Sequence, residues 1–533
     1  MLKFKLPEKR INLILLVVFM GIALYYAMKT ASGLVLPVED DDFRDMSIAE
    51  NMLHGFFFTD PTYLHERLWY NPLMPATDAL ISLITGLPLN IIVTQAGKYL
   101  NLLIPISLYF MCNRLFDKKI ALGAAAASIF FVCGNDYGEH TSGYTYILIS
   151  MTFSQIFFYM VVAYAHKTFR DALNLNFFLL GVYMGILFLF HSAPSFLLCL
   201  ILICCFLHGV IKKELSFKEA MIKGGFFSVP FLLIASPLLF NIFIYYHYDI
   251  KNEDPMQWVY ILFRPGEGKR LFQETVNIYS IIALTGLIGL IRSKSIDKIT
   301  KRIILYWFFC SVILFFYVYS IGILKASYNI SLPGFVPSCD IFFYVKSAEA
   351  VLFGIGIWQI ALWVSNASHF YIKMNSILFF YAVICCMVIL RMPGYAKRKE
   401  FNYLRARTIE RQNSIYADLP IYTWMKNNTD INDVVLCKME QANFPVMASG
   451  RKMVAAVTYY SNPYVSYINK KKDCDTMING LRNNTYIKPL LDQYEVRYLL
   501  IPVAEQMQYK LASFYFPDIV YIDKNFILRK RSF

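Results

Sequence analysis

Five carboxylates stand within seven residues, Glu39, Asp40, Asp41, Asp42 and Asp45, directly after the first long apolar stretch. Capping a helix or holding a segment outside a membrane needs one or two acids. Five repel one another and require a compensating partner: a cation, a metal, or a proton shared between carboxylates. A carboxylate set beside an apolar wall is suited to take the proton from a hydroxyl acceptor. If the electrophile is the C1 of a sugar carried on a lipid phosphate, attack comes from the face opposite the phosphate. The anomeric centre then inverts in one displacement. Phosphate is already a good leaving group, so such a reaction calls for cations more than for a general acid.

Candidate cations lie in "LFRPGEGKRLF", where Arg264, Lys269 and Arg270 flank two glycines. Gly266 and Gly268 let the backbone approach an anion, and arginine pairs with phosphate through two parallel hydrogen bonds. The plainer reading of this stretch is an interfacial loop whose basic side chains reach for water. A second acidic spot, "CGNDYGEHTSGY", holds Asp136, Glu139 and His140, which could serve substrate hydroxyls or a metal; a polar turn between two spans is the competing reading. Should a divalent cation such as Mg or Mn take part, Asp40, Asp42 and Glu139 are the candidate ligands. Lys98 lies inside an apolar span, where a charge is costly and calls for a partner such as an anionic headgroup. His191 stands alone at the outer end of another span, either as a ligand or as a satisfied interfacial residue. Lys325 and Lys346 are weaker cation candidates.

The elements that would position these groups are mostly membrane helices. Of 533 residues 57% are hydrophobic and 17% charged, which excludes an ordinary soluble protein. The net charge of +14 gathers in short loops between apolar runs, so a positive-inside bias explains it and nucleic acid is not an expected partner. The eleven cysteines form no C-x-x-C pair, and neither a zinc site nor a disulfide framework is expected. Apolar windows predict about eleven spans, near 11–36, 91–115, 120–134, 145–165, 173–190, 194–211, 222–246, 276–291, 303–322, 345–364 and 372–391. The first is expected to be retained rather than cleaved as a signal peptide. Basic residues before the first span and in alternate loops place the N-terminus in the cytoplasm. The loops 37–90, 135–144, 247–275 and 323–344 and the C-terminal tail then lie outside.

The predicted domains are therefore a membrane domain over 1–395, with a long first outer loop at 37–90, and a soluble extracytoplasmic α/β domain over 396–533. In the first, "NMLHG" predicts the end of an amphipathic helix stopped by Gly55, with Ser47, Ile48, Asn51 and Met52 on one face. In the second, helices over 419–427 and "IKPLLDQYE", strands over 434–437 and 496–501, and a hairpin turning at Asp523-Lys524-Asn525 are expected.

"DDDFRDMSIAENMLHG" followed by "WYNPLMPA" resembles the GT-C superfamily of integral membrane glycosyltransferases, most closely bacterial enzymes that use polyprenyl-phosphate sugars, including arabinosyl-, mannosyl- and aminoarabinose-transferring branches. The resemblance implies that a first-loop aspartate is the catalytic base. Matching "AEN" and the following glycine puts the acidic pair at Asp40-Asp41, with Asp41 the position the branches share. It implies that Asp136 and Glu139 fill a second acidic spot and that the tail is an extracytoplasmic domain. A lysine or glutamate that the family often carries near "PL" is represented here by Glu66 and Arg67, a departure that leaves the sugar open.

The expected function is transfer of a hexosyl or pentosyl group from a polyprenyl-phosphate donor to a hydroxyl on a lipid- or glycan-linked acceptor, with inversion, at the outer face of the cytoplasmic membrane. Asp41 and Asp40 are the catalytic candidates. Asp42, Asp136, Glu139, Arg264, Lys269, Arg270, Lys98 and His191 are the candidates for substrate binding. Two rivals predict different features. A transporter or flippase of a lipid-linked saccharide predicts charges deep in several spans and a repeat between halves. A non-catalytic envelope assembly protein predicts that the first-loop acids can be neutralised together without loss.

Overall fold

The structure, a computed structural model, describes residues 8–37, 40–132, 143–252, 277–330, 332, 338–368, 375–398, 401–402, 405–439, 443–458 and 461–532. The chain divides into two compact units. One comprises Met1–Ser32, Ala96–Ala235 and Val259–Ala406; the other comprises Gly33–Gln95, Ser236–Trp258 and Arg407–Phe533.

The first unit is helical. Among the described residues of the whole chain, seven helices are long and apolar enough to cross a membrane: Arg10–Ala31, Leu89–Leu115, Ser192–Ile211, Phe217–Tyr245, Lys298–Tyr328, Asp340–Ala367 and Ser376–Ala396. Every predicted span falls on helix, but several differ in form. α1 (Glu8–Ala31) stops five residues before the expected 36, and Gly33 turns the chain with φ +77°. The 91–115 span is broken into Leu89–Gln95, Gly97–Leu100 and Leu103–Leu115. The 120–134 span is a nine-residue helix, Lys118–Ala126, that widens into a π turn over Ala127–Phe131. The 145–165 span is Ser150–Asp171, a 22-residue helix diluted by Gln155, His166, Lys167 and Arg170.

Small residues set the spacing of the membrane helices. A Cβ on Gly286 would lie 1.8 Å from the Leu352 carbonyl oxygen, so the Ile278–Arg292 and Ser338–Ser368 helices cross in backbone contact. A buried polar set sits on the same pair of helices. Lys346 Nζ lies 3.1 Å from Glu349 Oε2, and Ser280 donates to Glu349 Oε1 at 2.7 Å.

The second unit carries a five-stranded sheet in the order β2-β1-β3-β5-β4, with β1 Val434–Leu436, β2 Lys452–Met453, β3 Val496–Pro502, β4 Asp518–Ile522 and β5 Phe526–Lys530. β1 pairs in parallel with both β2 and β3, while β5 is antiparallel to β3 and β4. The hairpin turns where expected, and Asp523 Oδ1 accepts from the backbone N–H groups of Asn525 and Phe526, both at 2.7 Å. The helix expected over 419–427 is Leu419–Asn428; Pro420 sits in its first turn, while the Asp418 side chain makes no capping bond.

Elements of the tail that were not expected include the helix Arg405–Ile415, the short helix Ala512–Tyr515, the two-residue β2 and the helix Tyr467–Asn483. The Tyr467–Asn483 helix is polar overall, but Cys474, Met477, Ile478 and Leu481 face the core with Val434, Leu499, Ile501 and Phe516. Leu64, from the segment between the Asp40–Leu53 and Leu73–Thr85 helices, packs against the same core.

Candidate active site

The acidic cluster opens α2 (Asp40–Leu53). Ser47, Ile48, Asn51 and Met52 are all buried on it, and Gly55 ends the turn with φ +87°. From Asp42 to Met52 no side chain is exposed, so α2 is a charged helix enclosed on every side. A polar helix so enclosed must find a partner for each polar group. Glu50 meets Lys426 at 3.0 Å, Asn51 accepts from Lys452 at 3.2 Å, and Ser47 donates to the Pro61 carbonyl at 3.4 Å. Phe43 packs on Phe444 with ring centroids 5.4 Å apart.

At the start of α2 the compensating partner is a side chain. Arg44 donates from Nη1 to Asp41 at 2.8 Å and from Nε and Nη2 to Asp45 at 3.1 and 3.0 Å. Its guanidinium carbon stands 3.6 Å from the Tyr70 ring centroid, a cation–π contact that closes the remaining face. Burial alone would lower the Arg44 pKa; Asp41, Tyr70 and Asp45 outweigh it and hold the guanidinium above its ordinary value. Burial pushes the Asp45 carboxyl up to about 6, with Arg44 pulling it back. Asp41 is the open member of the trio. Its side chain is 48% exposed, against 7% for Arg44 and 9% for Asp45. The arrangement is a solvent-reachable carboxylate oriented by a buried, immobilised guanidinium.

α3 (Leu73–Thr85), beginning after the "NP" of the motif, packs against α2. Its face toward α2 carries Asp78, 1% exposed in an otherwise apolar helix. Behind α2, Lys452 Nζ donates to the Asp60 carbonyl at 2.7 Å, and the Asp60 carboxylate accepts from the backbone of Thr62 and Tyr63 and from Asn462. Burial raises the Asp60 pKa to about 6 and lowers that of Lys452 to about 8, each opposed by the other's charge.

Among the predicted site residues, Asp41 and its helix are described as above. Asp42 is buried beside them, and Asp40 is the first residue of α2 with its side chain outside the described residues. Asp136, Glu139, Arg264, Lys269 and Arg270 also lie outside the described residues. Lys98 belongs to the first unit, in the short Gly97–Leu100 turn. It is half-buried, with Nζ 5.1 Å from the Tyr99 ring centroid. His191 is in the same unit and is not alone: its Nε2 lies 3.9 Å from Asp340 Oδ2. Lys346, a weaker candidate, is fully buried and paired with Glu349. Among the described residues no group of three His, Cys, Asp or Glu side chains could hold a metal ion.

Arg44 was missed as a site residue although its place three residues after Asp41 was a readable i,i+3 pair. Asp78 was missed too; the signal was an acid in the middle of "LMPATDALISLIT".

No sequence-family model and no curated protein matches the chain. Likeness appears among solved structures. The oligosaccharyltransferase AglB from Archaeoglobus fulgidus, in complex with an inhibitory peptide and a dolichol-phosphate, superposes with a TM-score of 0.52 at 11% identity, over 94% of this chain and 72% of that one. ArnT from Cupriavidus metallidurans, bound to undecaprenyl phosphate, superposes with a TM-score of 0.52 at 12% identity, over 96% of this chain and 97% of that one. The chain has the GT-C fold. A GT-C fold built on these apolar helices makes it a multi-pass membrane protein with a small C-terminal sheet.

Proposed function

We propose that the chain is a glycosyltransferase that moves a sugar from a polyprenyl-phosphate donor to a hydroxyl on a lipid- or glycan-linked acceptor. The observation that carries this reading is the Asp41 carboxylate, half open to solvent yet held by a buried arginine at 2.8 Å. Fixing a base in one orientation lowers the entropy lost on reaching the transition state. Asp41 takes the acceptor proton as the acceptor oxygen attacks C1; the C1–phosphate bond breaks on the opposite face, and the configuration inverts. Arg264, Lys269 and Arg270 are proposed to receive the leaving phosphate. Asp40, Asp42, Asp136 and Glu139 are proposed to contact the sugar or acceptor near the base, and Lys98 and His191 the lipid-linked donor. The membrane domain is assigned to 1–395 and an acceptor-binding extracytoplasmic domain to 396–533. The N-terminus faces the cytoplasm and the reaction faces away from it. The dolichol-phosphate in the AglB complex and the undecaprenyl phosphate bound to ArnT are both polyprenyl phosphates, which supports this donor assignment.

Transport is the second reading, and one observation speaks to it: Lys346 and Glu349 lie deep in a candidate span. They neutralise each other and engage Ser280, which fits a helix clamp better than a substrate path.

The test is Asp41→Asn in cells. Transfer to the surface glycan should be lost while the protein accumulates normally, and the lipid-linked donor should build up. An Asn variant that supports full transfer would exclude Asp41 as the base. Retained transfer in an Arg264, Lys269 and Arg270 triple alanine variant would exclude the phosphate assignment.

A further inference from the structure

Asp78 has an unusual setting. It is 1% exposed, and among the described residues its Oδ1 has no hydrogen-bond partner. α3 packs against α2 and against the Leu89–Gln95 helix. The second of these carries no titratable side chain. The titratable groups of α2 with described side chains are Asp41, Asp42, Arg44, Asp45 and Glu50, and Tyr70 stands just before α3. Arg44 is the one cation among these described groups, and its three donor nitrogens are engaged by Asp41 and Asp45. The charge that acts on Asp78 is that of Asp45, which has the same sign.

A carboxyl enclosed with a like-charged neighbour and no compensating cation is held as the neutral acid. Burial first, and Asp45 second, keep its pKa well above the usual carboxylate range.

We infer that Asp78 is a positioning residue: an acid that stays neutral around neutral pH beside Asp45 and leaves Arg44 stretched between Asp45 and the exposed Asp41. The inference rests on the reading of Asp41 as the base. One guanidinium serves two carboxylates, and the trio carries a net single negative charge. Ionising Asp78 would place a second anion behind Asp45 and draw Arg44 inward, off Asp41. The base would then lose its orientation although no catalytic atom had been removed. Asparagine at this position has the same shape as the neutral acid and cannot ionise.

Two measurements test this. Spheroplasts with their own lipid-linked donors and carrying Asp78→Asn should transfer within about threefold of wild type near neutral pH, and their alkaline limit should move to higher pH. Infrared spectra of the purified protein provide the second measurement and need no substrate. The carbonyl stretch of a protonated carboxylic acid should persist in wild type and in Asp41→Asn at about pH 8, where carboxyls titrating near 6 have lost their protons, and be absent from Asp78→Asn. Loss of transfer in Asp78→Asn with unchanged melting temperature overturns the inference, as does an unmoved alkaline limit. Absence of the protonated-acid band from wild type overturns it even if the variant does not fold. Wild-type protein that keeps the band but transfers no sugar counts against the enzymatic reading and leaves the protonation of Asp78 established.

Discussion

Two buried ion clusters flank α2, and they are built differently. Behind the helix, Lys452 and Asp60 are enclosed together, and Asp60 is fully served by Thr62, Tyr63 and Asn462. At its start, Arg44 is as deeply buried, but one of its two carboxylates, Asp41, is left half open. The first cluster has the composition of a fastener, with every polar atom turned inward. The second has the composition of a tool, with a rigid grip and one exposed edge. The contrast separates charge buried to join chain segments from charge buried to hold a half-exposed carboxylate, the proposed base.

The comparison can be broken in several ways. Asp41→Asn should lower transfer by about 10²–10⁴-fold, the contribution of a general base, with no loss of melting temperature. Lys452→Ala should do the reverse in kind. It leaves Asp60 buried without its cation and costs about 3–5 kcal/mol, read as a large fall in melting temperature in detergent, with activity lost only as folded protein is lost.

The fastener should also write itself into the pH dependence of stability. Asp60 has its folded pKa raised from 3.8 to about 6. Between these values the folded protein keeps a proton that the unfolded chain has released, so this contribution is full near pH 4 and lost as pH rises through about 6. Lys452, lowered from 10.5 to about 8, acts in the opposite sense: stability returns as pH rises above about 8. Their joint contribution therefore has its minimum between about 6 and 8. Asp60→Asn should flatten the acid side by about 2–3 kcal/mol, measured as melting temperature against pH.

Arg44→Lys keeps the charge but cannot hold both Asp41 and Asp45. It should reduce transfer about tenfold, at a stability cost of about 1.5 kcal/mol. At the small end, Ile468→Ser on the exposed face of the Tyr467–Asn483 helix should change neither quantity by more than about 0.5 kcal/mol; a larger effect would reveal a function for that face.

Elements specified by local pattern were readable. Gly55 and the Ser47, Ile48, Asn51, Met52 face located α2, and turn residues located the hairpin at Asp523. The centres of the membrane helices followed from hydropathy, while their breaks did not, because Gly97 and the π turn at Ala127–Phe131 answer to packing. The Tyr467–Asn483 helix hid behind "KKKD", although the spacing of Cys474, Met477, Ile478 and Leu481 marked its inner face. The need for a counter-charge at the acidic cluster was legible, and Arg44 was near enough in sequence to have been named. Lys452 meeting Asp60 was beyond reach, since nothing local links residues almost four hundred positions apart. Asp78 was concealed by the opposite expectation, that an apolar helix owes its single acid to the surface.

The enclosure of α2 also sets a schedule. Its walls include Lys426, Phe444 and Lys452, which leave the ribosome long after Asp41 does. A nascent chain therefore carries its acids uncovered through most of its synthesis. The cover over Phe43, Glu50 and Asn51 is completed only once the last quarter of the polypeptide has arrived, so a chain released early would leave that face of the helix open.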